Sequence, residues 1–415
     1  ILENPSQLIT EYSIVNQAQA KQLTSTIESK AIIETIDHLF REQASKTADY
    51  KAVITGDNVL SYSNLSSKIN DLAAYLHGKQ IKQGDVVAVA LNKSANLPIS
   101  LFAILQLGAI YLPLDPKHPS ERMRYIIDDS AAKLIITDND LVDNFPAQLQ
   151  DKLCVLADNI PTAQKQISAK HTAKDPAYNI YTSGSTGQPK AVMVNHASLI
   201  SRFNWLNKQF PLQAGDTTLQ NINYCFDPSL YELTWPLTVG AAIILPKDNG
   251  FKDAAYIAEL LKQHQVKITT FTPSTLNLFL NNISGNICPD LRWVICGGEI
   301  LNKKIVDKFY HLLSADLYNV YGPTEAAIIT TAHKCEVDGP NNIPIGKPID
   351  DTEIYILNDQ QALQPAGTVG ELYIGGACVA LGYLNKPIQD AKAFINNPFS
   401  NQVSSRFYRT GDLAR

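Results

Sequence analysis

The sequence predicts an α/β fold: largely parallel sheets covered by helices, followed by a smaller β-rich unit. Three observations predict it. Short apolar runs alternate with amphipathic helical stripes from residue 36 to about residue 271, the pattern that parallel strands and helical crossovers produce. One run, 86–91, is continuously apolar, as strands buried on both faces are. After about residue 335 the helical stripes nearly vanish, and short strands bounded by Pro and Gly replace them.

Residues 1–33 are Gln/Ser/Thr-rich without sustained periodicity and read as a lead-in from a preceding unit. Ile36, Leu39, Phe40 and Ala44 then share one helical face. Strands over 52–55 and 59–62 flank a Gly56-Asp57-Asn58 turn. Ser63 is the expected cap of a helix with Leu65, Ile69, Leu72, Ala73 and Leu76 on its buried stripe, stopping near Gly78. The stretch 97–114 has only Ser100 and Gln106 as polar residues and is long enough for a membrane span. Pro98, Gly108, Pro113 and the following Asp115 favour a buried helix capped at Gly108 and a strand over 109–114 instead. Further strands are expected at 133–137, around Val192, at 241–245 and at 268–271, with helices at 196–207 and 256–263. In the β-rich unit, strands are expected at 353–357 and 371–374, with helical spacing returning only at 390–394. The division is a lead-in (1–33), a sheet-and-helix core (34–335) and a β-rich unit (336–415).

Composition narrows the function. A chain of 415 residues, 45% apolar and 18% charged, suits two or three folded units. Lys and Arg number 35 against 40 Asp and Glu, a net charge of −5, so neither nucleic acid nor an anionic membrane is an expected partner. Six cysteines without a C-x-x-C pair, and no secretion signal, predict a cytoplasmic protein with reduced thiols. The chain begins at Ile1 rather than Met and is expected to be part of something longer.

The most informative segment is YTSGSTGQPK at 181–190. Its hydroxyls, glycines and lysine follow an apolar run, so N–H groups, O–H donors and a cation can converge on an oligophosphate. The spacing fits neither a Walker loop nor a G-x-S-x-G elbow. Six further segments accompany it: LSYSNL at 60–65, LGAIYLPLD at 107–115, FDPS at 226–229, NVYGPTE at 319–325, GELYIGG at 370–376 with GYL at 382–384, and YRTGDL at 408–413. In their order and wording the seven together resemble the adenylate-forming superfamily, specifically the amino-acid adenylation domains of nonribosomal peptide synthetases, over residues 34–415.

The resemblance implies two helix-covered, largely parallel sheets plus a small distorted β-barrel, with ATP as substrate and Mg²⁺ as cofactor. It assigns Thr182, Ser183, Thr186 and Lys190, with Gly184, Ser185 and Gly187, to the phosphates, and Glu325 to Mg²⁺, a hard cation that takes oxygen ligands. Tyr321 offers a ring face and Asn319 an amide edge to adenine, Gly322 and Thr324 belong to the same turn, and Asp412 accepts from ribose hydroxyls. Gly297, Gly298 and Glu299 let backbone approach the nucleotide and the substrate pocket. His196 is expected to be structural rather than catalytic.

Asp227 discriminates within the superfamily, because the resemblance gives it the substrate's α-ammonium, a buried charge that needs an opposite partner. Its bland role would be an N-cap for the turn at Pro228. Phe226, Pro228, Tyr231, Phe271, Ile295, Gly297, Val320, Ile328 and Ile329 complete the implied pocket. None is charged, so an apolar, branched aliphatic side chain is expected, Ile ahead of Leu or Val, with Phe271 and Tyr231 limiting depth. The implied reaction forms aminoacyl-AMP and pyrophosphate, for loading onto a carrier domain's phosphopantetheine thiol, in some relatives with a small helper protein. An acyl- or aryl-CoA ligase is the alternative that Asp227 disfavours; a catalytically idle ATP- and amino-acid-binding fragment is another. Ala191 stands where the family has Gly after its loop Lys, and the motifs end just before Arg415. The family's mobile C-terminal subdomain, with its Lys, is therefore expected outside this stretch and low activity within it.

Overall fold

The computed structural model describes residues 31–156, 160–183, 187–285, 288–400 and 405–415. Two large sheets carry the fold. In the nine-stranded sheet, six parallel strands run in the order Lys51–Thr55, Ala242–Ile244, Thr217–Leu219, Ile268–Phe271, Trp293–Gly297 and Asp316–Tyr321. Antiparallel strands extend it at both edges: Asn58–Ser61 on one side, Thr331–Lys334 and Lys347–Pro348 on the other. In the seven-stranded sheet, Pro176–Thr182, Ile110–Pro113, Val86–Ala90, Leu134–Thr137 and Leu153–Val155 are parallel. Lys190–Asn195 and Gly382–Tyr383 pair antiparallel at its edge. The C-terminal unit is a four-stranded antiparallel sheet, Thr352–Leu357, Gly370–Gly376, Arg406–Ala414 and Phe394–Asn396, with no pairing between its outer strands among the described residues.

Local chemistry explains the elements that hold the site. All five residues of Val86–Ala90 are buried, as a strand covered by helices on both faces requires. The apolar 97–114 stretch divides into helix Asn96–Gln106 and strand Ile110–Pro113, with Gly108 at φ +64° in the left-handed turn between them. Among the described residues no helix is long and apolar enough to cross a membrane. The capping serine is Ser61 and not Ser63: its side chain accepts from the Asn64 N–H at 3.2 Å, and helix Tyr62–Gly78 starts one residue before Ser63. Ser61 and Ser63 carry the same side chain two positions apart, and only the strand's end at Ser61 decides between them.

The C-terminal stretch stitches the large sheets together. Lys347–Pro348 joins one and Gly382–Tyr383 the other. Fully buried Arg202, on helix His196–Gln209, donates to the carbonyls of Ile329 and Asp350 (3.1 Å for the latter) and to Thr352 Oγ1 (2.9 Å). One continuous apolar cluster runs between the two large sheets, and a second lies behind the nine-stranded sheet, holding Phe271, Phe279, Cys296 and Leu317.

Candidate active site

The hydroxyl-rich loop is a hairpin connection. Thr182 ends one strand, Lys190 begins the next, and the two are directly paired in register. Gly184, Ser185 and Thr186 lie outside the described residues. Ser183 is exposed, and Gly187 adopts φ +84°. The Thr182 hydroxyl is buried without a hydrogen-bond partner among the described residues, so it is a spare donor at the mouth of the loop. Ala191 pairs with Tyr181 in the ladder, and its carbonyl accepts from Leu384 N–H at 3.0 Å.

Lys190 faces a buried acid. Its Nζ lies 3.0 Å from Glu325 Oε1 and 2.6 Å from the Tyr383 hydroxyl, and 4.0 Å above the Tyr383 ring centre. The Tyr383 hydroxyl donates to the same Glu325 oxygen at 2.7 Å, and burial with the nearby carboxylate keeps the phenol protonated. Glu325 sits in the short turn Thr324–Ala326, followed by Ala327 at φ +50° and Ile328 at φ +78°. A β-branched residue in that region is strained. Such strain persists where the surroundings over-determine it, and here Arg202 grips the Ile329 carbonyl. Gly322 is required beside this turn, because a Cβ there would lie 2.3 Å from the Ile328 carbonyl oxygen.

A buried single carboxylate already balanced by one cation fits the chemistry of a Mg²⁺ site completed by phosphate oxygens. The three-member group of metal-type donors among the described residues lies elsewhere, at Asp37, His171 and His196. Both imidazoles are tied to the chain: His196 Nδ1 accepts from Ile36 N–H at 3.2 Å, and His171 Nε2 donates to Asp37 Oδ1 at 3.0 Å, while Arg41 lies 3.3 Å from Asp37 Oδ2. Burial pushes His196 down to about 4 and keeps it neutral. His196 therefore works as a structural clamp.

Tyr321 and Asp412, distant in sequence, meet: the phenol donates to Asp412 Oδ2 at 2.6 Å. Asp412 is exposed, at a bulge within strand Arg406–Ala414 where Gly411 adopts φ +80°. Asn319 is buried, and one Nδ2–H donates to the Pro344 carbonyl at 2.7 Å, a bond that uses one of its amide's two donors. Gly298 takes φ +84° after the strand. Glu299 accepts from the backbone and the hydroxyl of Ser274, holding the start of helix Pro273–Asn281.

A cavity of about 400 Å³ collects Phe226, Asp227, Pro228, Tyr231, Phe271, Ile295, Gly297, Val320, Ile328 and Ile329, together with Gly298, Glu299 and Gly322. Asp227 starts helix Pro228–Thr238 without a side-chain cap bond, and its buried Oδ2 has no hydrogen-bond partner among the described residues. Burial, helped by the charge of Glu325 and opposed by a Thr324 hydrogen bond, pushes its carboxyl up to about 7. The N-cap role is therefore unfilled. Gly297 leaves no room for a side chain, since a Cβ would meet Val320 at 2.7 Å.

One expected pocket residue is displaced. Phe271 borders the cavity, but it pairs in register with Cys296, and its ring packs on Phe279 at 5.2 Å behind the sheet. Thr270, the residue before it, pairs with Ile295 on the cavity face, and its hydroxyl bonds the Tyr231 hydroxyl at 2.5 Å. Alternation within one strand does not indicate Thr270; the register with Ile295 does. Asn221, Ile222 and Asn223 form a further wall that no motif marked. Behind them Glu232 accepts from Ile222 N–H at 3.0 Å, and Lys93 Nζ reaches the Ile222 carbonyl at 3.3 Å. Burial pushes Lys93 down and Glu232 up.

The AMP-binding enzyme family matches residues 40–384. Tyrocidine synthase 3 of Brevibacillus parabrevis is 33% identical over 100% of the chain, which spans 6% of that protein's length. Zwittermicin A synthase ZmaJ of Bacillus cereus is 36% identical over 91% of the chain and 74% of its own length. The four-domain nonribosomal peptide synthetase AB3403, bound to AMP and glycine, superposes with a TM-score of 0.85 at 28% identity, covering 99% of this chain and 30% of that one. With the motifs, the fold and these matches in agreement, the chain belongs to the AMP-binding enzyme family, beside the adenylation domains of nonribosomal peptide synthetases.

Proposed function

We propose that this chain activates an α-amino acid with ATP. The observation that carries the reading is Asp227: a buried carboxylate with an unpartnered oxygen in the wall of a cavity lined mainly by uncharged residues. An α-ammonium is the ligand group that would satisfy it. The bound substrate carboxylate attacks the α-phosphorus of ATP; a carboxylate O–P bond forms, the bond from that phosphorus to the bridging oxygen breaks, and its electron pair leaves with pyrophosphate. The product is aminoacyl-AMP, consumed by a carrier-domain thiol. Mg²⁺, when bound, neutralises phosphate charge, and Glu325 would hold it.

The chain's own contribution is alignment and charge. Lys190 and the Thr182 hydroxyl face the phosphates, and the Tyr321–Asp412 pair presents a ring and a carboxylate to the nucleoside. Asn319 offers the adenine the amide oxygen and the second N–H that the Pro344 contact does not use.

For the side chain, Ile295, Val320, Ile328 and Ile329 offer no counter-charge, and the Tyr231–Thr270 hydroxyl pair satisfies itself. A branched aliphatic substrate, Ile ahead of Leu or Val, fits this lining. Calorimetric titration with a non-hydrolysable ATP analogue present is expected to show Ile, Leu and Val within ~1–3 kcal/mol of one another, since one methylene discriminates weakly. Lys, Arg, Asp and Glu are expected to bind far more weakly than any of these. Preference for Arg or Glu would overturn the side-chain assignment. Pyrophosphate exchange that no amino acid stimulates, with CoA-dependent turnover of an acid, would overturn the amino-acid reading itself.

A further inference from the structure

One wall of the amino-acid cavity is held in place by buried charges. Residues 220–223 follow strand Thr217–Leu219 and lead toward helix Pro228–Thr238 without regular structure of their own. Asn221, Ile222 and Asn223 line the cavity. Glu232, in the second turn of that helix and only 5% exposed, accepts from the Ile222 N–H and from Gln220 Nε2, both at 3.0 Å. Lys93 Nζ donates to the Ile222 carbonyl at 3.3 Å and to the Gln220 carbonyl at 3.5 Å. Ile222 is therefore gripped at both of its backbone groups, the N–H by a carboxylate and the carbonyl by an ammonium. Lys93 is itself anchored, its own N–H donating to Asp248 Oδ1 at 3.1 Å.

The grip crosses from one sheet to the other. Lys93 stands just past strand Val86–Ala90 of the seven-stranded sheet, whereas the wall continues a strand of the nine-stranded one. Alongside it, the Leu91 N–H donates to the Tyr224 hydroxyl at 3.2 Å, and that hydroxyl donates to the Leu114 carbonyl at 3.0 Å. Asn221 Nδ2 donates to the Thr270 carbonyl at 2.9 Å, which ties the wall to the strand bearing Thr270. Burial disfavours both the ammonium and the carboxylate, and their mutual attraction opposes it. Apolar residues of similar volume often match or exceed such a buried charged group in stability. What the charges add is direction, since an N–H held by a carboxylate and a carbonyl held by an ammonium fix how the peptide is turned.

We propose that Lys93 and Glu232 are positioning residues for the amino-acid side chain: together they set where Ile222 stands in the cavity wall, and so which side-chain size the cavity accepts. Neither lines the cavity, and both act through the backbone of Ile222. The inference rests on the amino-acid reading above and deepens it, placing part of the size selection in a supporting layer behind the wall.

The test is calorimetric titration of Ile and Phe, with a non-hydrolysable ATP analogue present, and of the analogue alone. The proteins are the parent, Lys93→Met, Lys93→Arg, Ile222→Ala and Lys93→Met/Glu232→Gln. In Lys93→Met, Ile affinity and the preference for Ile over Phe are each expected to fall roughly tenfold, with the ATP analogue within about twofold, because misplacement by about 1 Å is felt strongly at a site. Lys93→Arg keeps the charge and the donors and is expected to stay close to the parent. Ile222→Ala shortens the wall directly and is expected to shift preference toward Phe in the same way, and it leaves the charged side chains untouched should Lys93→Met not fold. The double variant is expected to lose at least as much as Lys93→Met. Unchanged Ile affinity in Lys93→Met, an equal loss for the ATP analogue, Lys93→Arg as weak as Lys93→Met, or parental preference in Ile222→Ala would each overturn the inference. Recovery of parental affinity in the double variant would overturn it too, since charge balance rather than wall position would then be at work. If the parent prefers Ile and the variants prefer it by the same factor, only this inference fails. If the parent binds the ATP analogue but neither Ile nor Phe, the side-chain reading fails first and takes this inference with it. Urea denaturation of each variant checks that the fold is intact.

Discussion

Asp227→Asn is expected to weaken α-amino-acid binding at least a hundredfold while changing ATP affinity no more than a few-fold. Removing one partner of a buried ion pair costs on the order of 3–5 kcal/mol, and each 1.4 kcal/mol is about tenfold in affinity. The same residue sets a pH dependence. In the empty protein burial holds the Asp227 carboxyl up to about 7, and an ammonium binds its ionised form. Amino-acid affinity should therefore fall about tenfold per pH unit below 7 and level off above it. For stability the sign reverses. A folded-state value raised above the unfolded ~3.9 means that the folded chain holds the extra proton between those values, so this group's contribution declines as pH rises from about 4 to 7. Asn cannot ionise, so the ligand-free variant is expected to match or exceed the parent in urea at pH 8, though it has lost binding. Amino-acid binding by the variant at parental strength, or binding by the parent that is flat from pH 5 to 8, would sink the assignment of Asp227 to the ammonium.

Arg202→Met is expected to cost about 3–5 kcal/mol of stability. The guanidinium is fully buried, and its loss leaves the Ile329 carbonyl without this donor and the Asp350 carbonyl and Thr352 hydroxyl with their long 3.4 Å bond to each other. Met fills part of the volume but offers no donor. Arg202→Lys keeps a charge without the planar fork and should fall between the two. A functional effect should accompany the structural one. The Ile329 carbonyl is the tether next to Ile328, whose φ of +78° is maintained only while its neighbours are held. Released, Ile328 relaxes toward ordinary backbone, and the cavity wall it shares with Ile329 changes shape. Amino-acid affinity is then expected to drop by more than ATP affinity. Urea denaturation together with separate titrations of ATP and amino acid checks both, and a loss under 1 kcal/mol in the Met variant would show that the contacts are dispensable.

Much of this molecule is written in short-range pattern. The continuous apolar run at 86–90 can be satisfied only by burial on both faces, and the strand is buried throughout. Gly108 ends a helix because it alone there takes a left-handed turn without a Cβ penalty. The hairpin carrying 181–190 follows from an apolar strand, a Ser/Gly loop and a second strand, and its ends pair as Thr182 with Lys190. Asp227 before Pro228 starts a helix because Pro suits the first helical turn. Each of these depends on neighbours within a few positions, so the residues themselves suffice.

Other features needed partners far along the chain. That an Asn319 N–H meets the Pro344 carbonyl depends on how the following loop returns across strand Asp316–Tyr321. Phe271 and Thr270 are adjacent and face opposite sides of one strand; the register with Trp293–Gly297 puts Thr270 on the cavity face and sends the phenyl ring behind the sheet. Tyr383 reaches Lys190 across 193 positions and Glu325 across 58. Composition determined that the chain has charges to pair and periodicity determined which faces are apolar, but pairing one charge with another is a matter of distance in space. That distance was decided only when the strand at 382–383 closed onto the seven-stranded sheet and brought a phenol, an ammonium and a carboxylate to within 3.0 Å of one another.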